Sequence, residues 1–278
     1  MLKHTVEQFF KEQLTEWALA KDNFKALEQV KVKTLDVKGC SYKVQFNPKR
    51  ITSVKANVNP ESIRERRCFL CKENRPPEQR GIPYNGRYMI LVNPFPIFPR
   101  HLTIPTVAHT PQLIASRFDD MLDLAQQLDG YILFYNGPKC GASAPDHFHF
   151  QAGNKGFLPI ENDPSRYNAI HFESTNKQEM LDRFGQIYDN LPLSPNDTEP
   201  MLNMLAWYEK GLWTTCLFPR TKRHPACYSA EGDTNLLITP GSVEMSGVFI
   251  TPLEKDFKKI TAEDIAGILH EVSQIYQQ

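Results

Sequence analysis

Two imidazoles and an amide stand at alternate positions in "DHFHFQ": His147, His149 and Gln151, with Phe148 and Phe150 between them. Side chains alternate between the faces of a strand, so an extended reading puts the three polar groups on one face and the phenylalanines on the other. The phenylalanines would then anchor the strand to a core. Just upstream, "FYNGPKCGAS" offers Asn136, Lys139, Gly141 and Ser143 in a loop whose glycines lack the Cβ that obstructs close approach of backbone N–H groups to an anion. One contiguous stretch thus supplies phosphate donors and a nitrogen nucleophile.

A second cluster lies in "RCFLCKENRPP". Cys68-x-x-Cys71 has the spacing that lets two thiolates share one zinc, with buried or redox-active thiols as the alternative. Zinc requires two more ligands, for which His109 and His147 are the candidates and His101 the third choice. If His147 holds metal, His149 is left free to react. Cations near these segments could offset phosphate charge: Arg64, Arg66 and Arg67 in "RERRC", Lys139 in the glycine loop, and Arg220, Lys222 and Arg223 in "FPRTKRHPAC". Lys139 is the first choice, with Arg67 also a candidate; a solvated surface is the competing reading for every basic run.

The elements that must position these groups are read from periodicity. Val6, Phe9, Phe10, Leu14 and Trp17 recur at helical spacing, which predicts an amphipathic N-terminal helix rather than a signal peptide. Alternation predicts strands at "VKVKTLDV", "YKVQFNP", "YMILVN" and "HLTIP", with "PFPIFPR" as an ordered connector. A helix is predicted over 110–130, then strands at "YILFYN" and "HFHFQA". Further on, the pattern predicts an extended "NAIHF", helices around 176–191 and 197–209, and a surface loop at "PLSPNDTEP". Strands at "LWTTCLF", "NLLITP" and "GVFITP" precede a last helix capped by Thr261 and Asp264, which continues toward "SQIYQQ". The 278 residues suit one large α/β domain or two lobes; the 32 basic and 32 acidic residues create no field for nucleic acid or an anionic membrane. Six scattered cysteines suit reduced thiols, and no run is apolar enough to span a bilayer, so a cytoplasmic location is expected.

The segment "YNGPKCGASAPDHFHFQ" resembles the active-site segment of the transferase branch of the histidine-triad superfamily, whose signature is His-x-His-x-Gln. That branch includes the GDP-hexose phosphorylases, the diadenosine tetraphosphate phosphorylases and the galactose-1-phosphate uridylyltransferases. "ILVNPFPIFPRHLTIPTVAH" is similar to the strand, loop and strand that precede the active-site strand in this superfamily. Cys68, Cys71, His109 and His147 match the structural zinc site of the uridylyltransferases. The flanks "LTEWALAKDNFKALEQVKVKTLDVKGCSYKVQFNPKR" and "GSVEMSGVFITPLEKDF" resemble those of the GDP-hexose phosphorylases. "GFLPIE" is similar to the segment carrying an acidic ligand of a second metal, at Glu161, but its histidine partners are missing and no second metal is assigned.

The resemblance implies an α+β fold with histidine-triad-like antiparallel sheets flanked by helices, in two lobes like a uridylyltransferase pseudo-dimer. Residues 1–160 would form the N-terminal lobe with the active-site strand and zinc site, and 161–278 the lobe that completes the nucleotide pocket. It implies a nucleotidyltransferase of phosphorylase type that passes a nucleotidyl group through His149, with Gln151 donating to phosphate oxygens and zinc as the cofactor. The expected partners are a nucleotide sugar, a GDP-hexose first, or a dinucleoside polyphosphate, together with inorganic phosphate. The chain would act as a monomer or homodimer. Alternatives are a diadenosine polyphosphate phosphorylase, a hexose-1-phosphate uridylyltransferase, or a zinc-stabilised protein that binds nucleotide without turnover. Asn136, Lys139, Gly141, Ser143 and Arg67 are expected to bind substrate phosphate. A glutamine cannot protonate a leaving group, so transfer is expected over hydrolysis.

Overall fold

The structure, a computed structural model, describes residues 2–54 and 58–274. In chain order its elements are helices α1 (Leu2–Glu16) and α2 (Ala18–Leu27), strands β1 (Lys31–Val37) and β2 (Cys40–Phe46), and short helices α3 (Ile51–Val54) and α4 (Pro60–Glu65). Strands β3 (Gly81–Tyr84), β4 (Tyr88–Val92) and β5 (His101–Pro105) come next, then α5 (Phe118–Gln127), β6 (Tyr131–Asn136) and β7 (His149–Asn154). The second half carries β8 (Ile170–Ser174), α6 (Lys177–Asp189), β9 (Leu202–Glu209), β10 (Leu212–Pro219), α7 (Ser242–Met245), β11 (Val248–Thr251), α8 (Glu254–Lys259) and α9 (Ala262–Val272).

Eight strands form one antiparallel sheet in the order β3-β4-β5-β7-β6-β9-β10-β8, and β1, β2 and β11 form a smaller sheet in which β11 runs parallel to β2. The large sheet passes without a break from the strands of the first half to those of the second through the β6–β9 pair. Its two faces are both covered, so alternate residues of one strand enter different cores. Leu133 and Tyr135 pack with Phe9, Phe24, Phe118 and Phe184 of the helices on one side. Ile132 and Phe134 pack with Phe98 and with Val44 and Phe249 of the small sheet on the other.

Double coverage explains where periodicity misleads. "LNMLAWYE", expected as part of a helix over 197–209, is strand β9, buried along six consecutive positions; a strand covered on both faces loses its period of two. The helix expected over 110–130 begins only at Phe118, because residues 106–112 run alongside 144–149 and their backbone groups bond there: Phe148 donates to the Thr110 carbonyl at 2.6 Å and Gln112 to that of Pro145 at 3.2 Å. "NLLITP" is not a strand; the Leu237 amide instead donates to the Asp256 carboxylate at 2.9 Å. The last helix is capped as expected, with Thr261 Oγ1 accepting from the Asp264 amide and the Asp264 carboxylate accepting from the Thr261 amide. That helix ends at Val272, and the Ile275–Gln278 part of the expected extension lies outside the described residues.

Candidate active site and metal cluster

Strand β7 begins at His149, so His147 stands just before it rather than within the alternation. The alternation itself sets His149, Gln151 and Gly153 on one face, with Phe148 and Phe150 fully buried in the core on the other. Position 153 demands a glycine. A Cβ on it would lie 2.3 to 2.5 Å from the ring of Phe98, which covers this part of the sheet and meets His101 edge-on.

The bend that holds His147 brings four ligand atoms together. Cys68, Cys71, His109 and His147 place their sulfur and nitrogen atoms within 4.8 Å of one another. Sγ of Cys68 is 3.4 Å and Sγ of Cys71 3.5 Å from Nδ1 of His147, and Sγ of Cys71 is 3.2 Å from Nδ1 of His109. A tetrahedral zinc with bonds of about 2.3 Å to sulfur and about 2.0 Å to nitrogen separates such ligands by about 3.5 Å, so the set fits that ion. Both imidazoles aim Nδ1 inward and are oriented from behind. Nε2–H of His147 donates to the Thr106 carbonyl at 2.8 Å, and Nε2 of His109 is 3.5 Å from Asp146, which Arg66 holds by an ion pair. Burial, with Cys68 beside it, pushes the Cys71 thiol up to about 11, so its ionisation in this half-buried site calls for a cation.

His101, the third candidate ligand, lies outside this cluster because both its nitrogens are engaged elsewhere. Nδ1 accepts from the Ile97 amide at 3.1 Å, so the proton is on Nε2, which donates to Oε1 of Gln151 at 3.0 Å. Asn93 donates to the same oxygen at 3.3 Å. With its carbonyl end occupied by two donors, the Gln151 amide turns its NH₂ away from them. His101 is fully buried and burial drives it down to about 3, so it stays a neutral donor.

His149 is fixed in the complementary tautomer. Its Nδ1 is 2.9 Å from the His147 carbonyl, which can only accept, so Nδ1 carries the proton and Nε2 presents a lone pair. Burial lowers this imidazole to about 4, which keeps it neutral near pH 7. Its peptide is gripped on both sides by the side chain of Gln112, a residue outside every motif read from the sequence.

The expected phosphate residues are dispersed. Oδ1 of Asn136 accepts from Asn203 at 2.8 Å and from the amide and hydroxyl of Ser242, both at 2.7 Å, so its oxygen serves the second half of the chain. Gly141 has φ +96°, and a Cβ there would come within 3.1 Å of the Gly241 Cα. Ser143 is half-buried with no hydrogen-bond partner among the described residues, Lys139 pairs with Asp197 at the surface, and Arg67 is exposed. Arg220 is no phosphate clamp. Its guanidinium is consumed by Asn203 and by the carbonyls of Val272, Pro240, Lys222 and Arg223, while Lys222 pairs with Glu271. Arg223 instead holds the carbonyls of Pro138 and Ala142, both at 3.2 Å. Glu161 caps its own turn by accepting from the Gly156 and Leu158 amides.

This sheet and its His-x-His-x-Gln strand define a protein with the fold of the histidine-triad phosphorylases. The structure is similar to the crystal structure of yeast Ap4A phosphorylase Apa2, with TM-score 0.59 and 17% sequence identity over 92% of this chain and 96% of that one. The same yeast enzyme in complex with AMP gives TM-score 0.56 at 18% identity, covering 94% and 96%, and in complex with Ap4A 0.55 at 17%, covering 92% and 96%. Residues 9–154, more than half of the chain, match the family described as "Domain of unknown function (DUF4922)", and the chain belongs to that family. No curated protein matches the sequence at a significant level. Among the described residues no helix is long and apolar enough to cross a membrane.

Proposed function

We propose that the protein is a nucleotidyltransferase of the phosphorylase type that works through a nucleotidyl-histidine. The observation that carries this reading is the pairing of a neutral His149, whose Nε2 lone pair is free, with a Gln151 amide turned to donate. In the first step Nε2 forms a bond to the α-phosphorus of a nucleoside diphosphate compound. The bond from that phosphorus to the bridging oxygen breaks, and its electron pair leaves with the terminal phosphate-bearing group. In the second step an oxygen of inorganic phosphate attacks the same phosphorus, the N–P bond breaks, and a nucleoside diphosphate departs with His149 restored.

Around this chemistry the loop 137–146 supplies charge. The carbonyls of Pro138, Cys140 and Ala142 are all withdrawn toward Arg223 and Asn203. The Gly141 and Ser143 amides donate to no described residue, which leaves them available to phosphate oxygens. Asn136, Lys139 and Arg67 would contribute charge and shape at longer range. Zinc held by Cys68, Cys71, His109 and His147 would be structural. It would fix His147, whose carbonyl holds Nδ1 of His149. Residues 1–160 would carry this machinery and 161–278 would complete the pocket.

A GDP-hexose is the first substrate, on the resemblance of the flanking sequences; the second is a diadenosine polyphosphate, favoured by the likeness to yeast Ap4A phosphorylase in complex with Ap4A. Gln151 has no proton to give a leaving group, which suits one that departs stable as an anion, such as a sugar 1-phosphate. Incubation with guanine and adenine donors labelled on the α-phosphate, followed by trapping of an acid-labile, base-stable adduct, tests the reading. An adduct lost in His149→Ala supports it. Nucleotide binding with neither adduct nor product would make the protein a binder instead.

A further inference from the structure

We propose that Gln112 is the positioning residue of the nucleophile, a side-chain amide that replaces the missing sheet partner of His149. The inference rests on the nucleotidyl-histidine reading and names a residue that this reading does not use. Strands β6 and β7 pair from Tyr131↔Asn154 to Phe134↔Gln151 and then part, so Asn136 and His149 are not paired. On the other side of β7, His149 stands opposite Pro105, which has no N–H to offer. The neighbouring Phe148 has its N–H and C=O satisfied by Thr110 and Thr106, at 2.6 and 3.0 Å. The peptide groups of His149 face the gap left by β6.

The fully buried Gln112 amide fills that gap. Oε1 accepts from the His149 N–H at 2.7 Å, and Nε2 donates to the His149 carbonyl at 2.9 Å and to the Asn136 carbonyl at 3.1 Å. All of its polar capacity goes to the backbone at the point where the two strands separate. Splaying of β6 from β7 opens the sheet beside the imidazole, and the amide keeps the nucleophile's Cα in place despite the lost ladder. Gln112 is itself held. Its amide donates to Pro145, its carbonyl accepts from Tyr135 at 3.0 Å, and two residues on the Ile114 amide donates to Glu199 at 2.5 Å. His109 lies three residues before it, so one irregular segment carries both a metal ligand and the clamp on the nucleophile.

The discriminating variant is Gln112→Met, which keeps length and volume but offers the backbone neither a donor nor an acceptor of comparable strength. If Gln112 only fills space, this variant works as well as the wild type. If it positions His149, the single-turnover rate of adduct formation falls on the order of 100-fold, since a small misplacement of a reacting group costs that much. Nucleoside monophosphate affinity stays within about threefold, as expected for a loss confined to the reacting step. Gln112→Glu keeps the acceptor but turns a carboxylate toward two carbonyls, and should not restore the rate. A folded, metal-loaded Gln112→Met with an adduct rate within about twofold of wild type would overturn the proposal. Hydrogen exchange at the His149 amide separates this outcome from failure of the functional reading. If wild type forms no adduct, that reading falls, and the clamp is judged on exchange alone: faster in Gln112→Met supports it, unchanged exchange overturns it.

Discussion

Replacing His101 by leucine tests whether the Gln151 amide is oriented from behind. In the wild type the Ile97 amide fixes the His101 tautomer, and the Nε2–H then holds Oε1 of Gln151 at 3.0 Å, with Asn93 as a weaker second donor at 3.3 Å. Leucine removes both functions. The buried Ile97 N–H loses its acceptor, a cost of about 1 to 3 kcal/mol in stability. The Gln151 amide keeps only Asn93 and becomes free to rotate its carbonyl toward the phosphoryl oxygens. Loss of one preorganised donor to a developing oxyanion costs about 2.7 to 4 kcal/mol, so the rate of adduct formation should fall on the order of 10²-fold or more. Because His101 acts through Gln151, the double variant His101→Leu/Gln151→Ala should react no more slowly than Gln151→Ala alone. Single-turnover kinetics on the three variants measure this. Additive losses, or a folded His101→Leu within about twofold of wild type, would refute the reasoning.

Metal analysis should find about one zinc per chain, and stripping it or making Cys68→Ser should lower Tm by roughly 10 °C or more, as expected for loss of several kcal/mol of binding energy. A metal-free chain that melts unchanged would contradict this. Glu199, near the end of the "PLSPNDTEP" segment, is buried, and desolvation raises it to about 7 even though it accepts from Tyr135 and Ile114. A carboxyl raised on folding contributes stability that is present below its unfolded value near 4.5 and lost as pH rises through about 7. The unfolding free energy of Glu199→Gln relative to wild type should therefore climb between about pH 4.5 and about pH 7, at most about 1.4 kcal/mol per pH unit, and a flat difference would refute the sign. Gly153→Ala should cost about 1 to 3 kcal/mol in denaturant unfolding by driving a methyl into the Phe98 ring, which also bears on His101.

The candidate site was legible wherever its residues are contiguous in the chain. Cys68-x-x-Cys71 and His147-x-His149-x-Gln151 mark the candidate ligands and the proposed nucleophile by type and spacing, and the alternation that sets His149 and Gln151 on one face is that of strand β7. His101 and Gln112 were not legible in the same way. Their partners lie 50 and 37 positions away in the chain, and neither residue belongs to the two spaced motifs. A signal existed for His101, a histidine that opens a buried strand, where an unpartnered imidazole would be costly. For Gln112 there was none, because the helical periodicity around it is real further on, from Phe118, and masks the irregular start.

The basic run of the second half teaches a different lesson about charge. Arg220 and Arg223 look like phosphate clamps in sequence, yet the buried guanidinium of Arg220 spends its donors on four carbonyls and an asparagine oxygen. Burying such a cation is tolerable only when its donors are satisfied, and backbone carbonyls meet that demand without adding an opposite charge. The effect on the site is indirect. Arg223 and Asn203 engage the carbonyls of Pro138, Ala142 and Cys140, while the Gly141 and Ser143 amides donate to no described residue. Under the proposed reading, the two free amides would offer the phosphate oriented peptide dipoles, while the arginines bind the loop's carbonyls. Fixed dipoles would not need to reorganise on binding a phosphoryl group, whereas a surface cation such as Lys139 would first have to leave Asp197. The second half, which has no His-x-His of its own, would thus contribute to the reaction chiefly by holding the loop of the first half in shape.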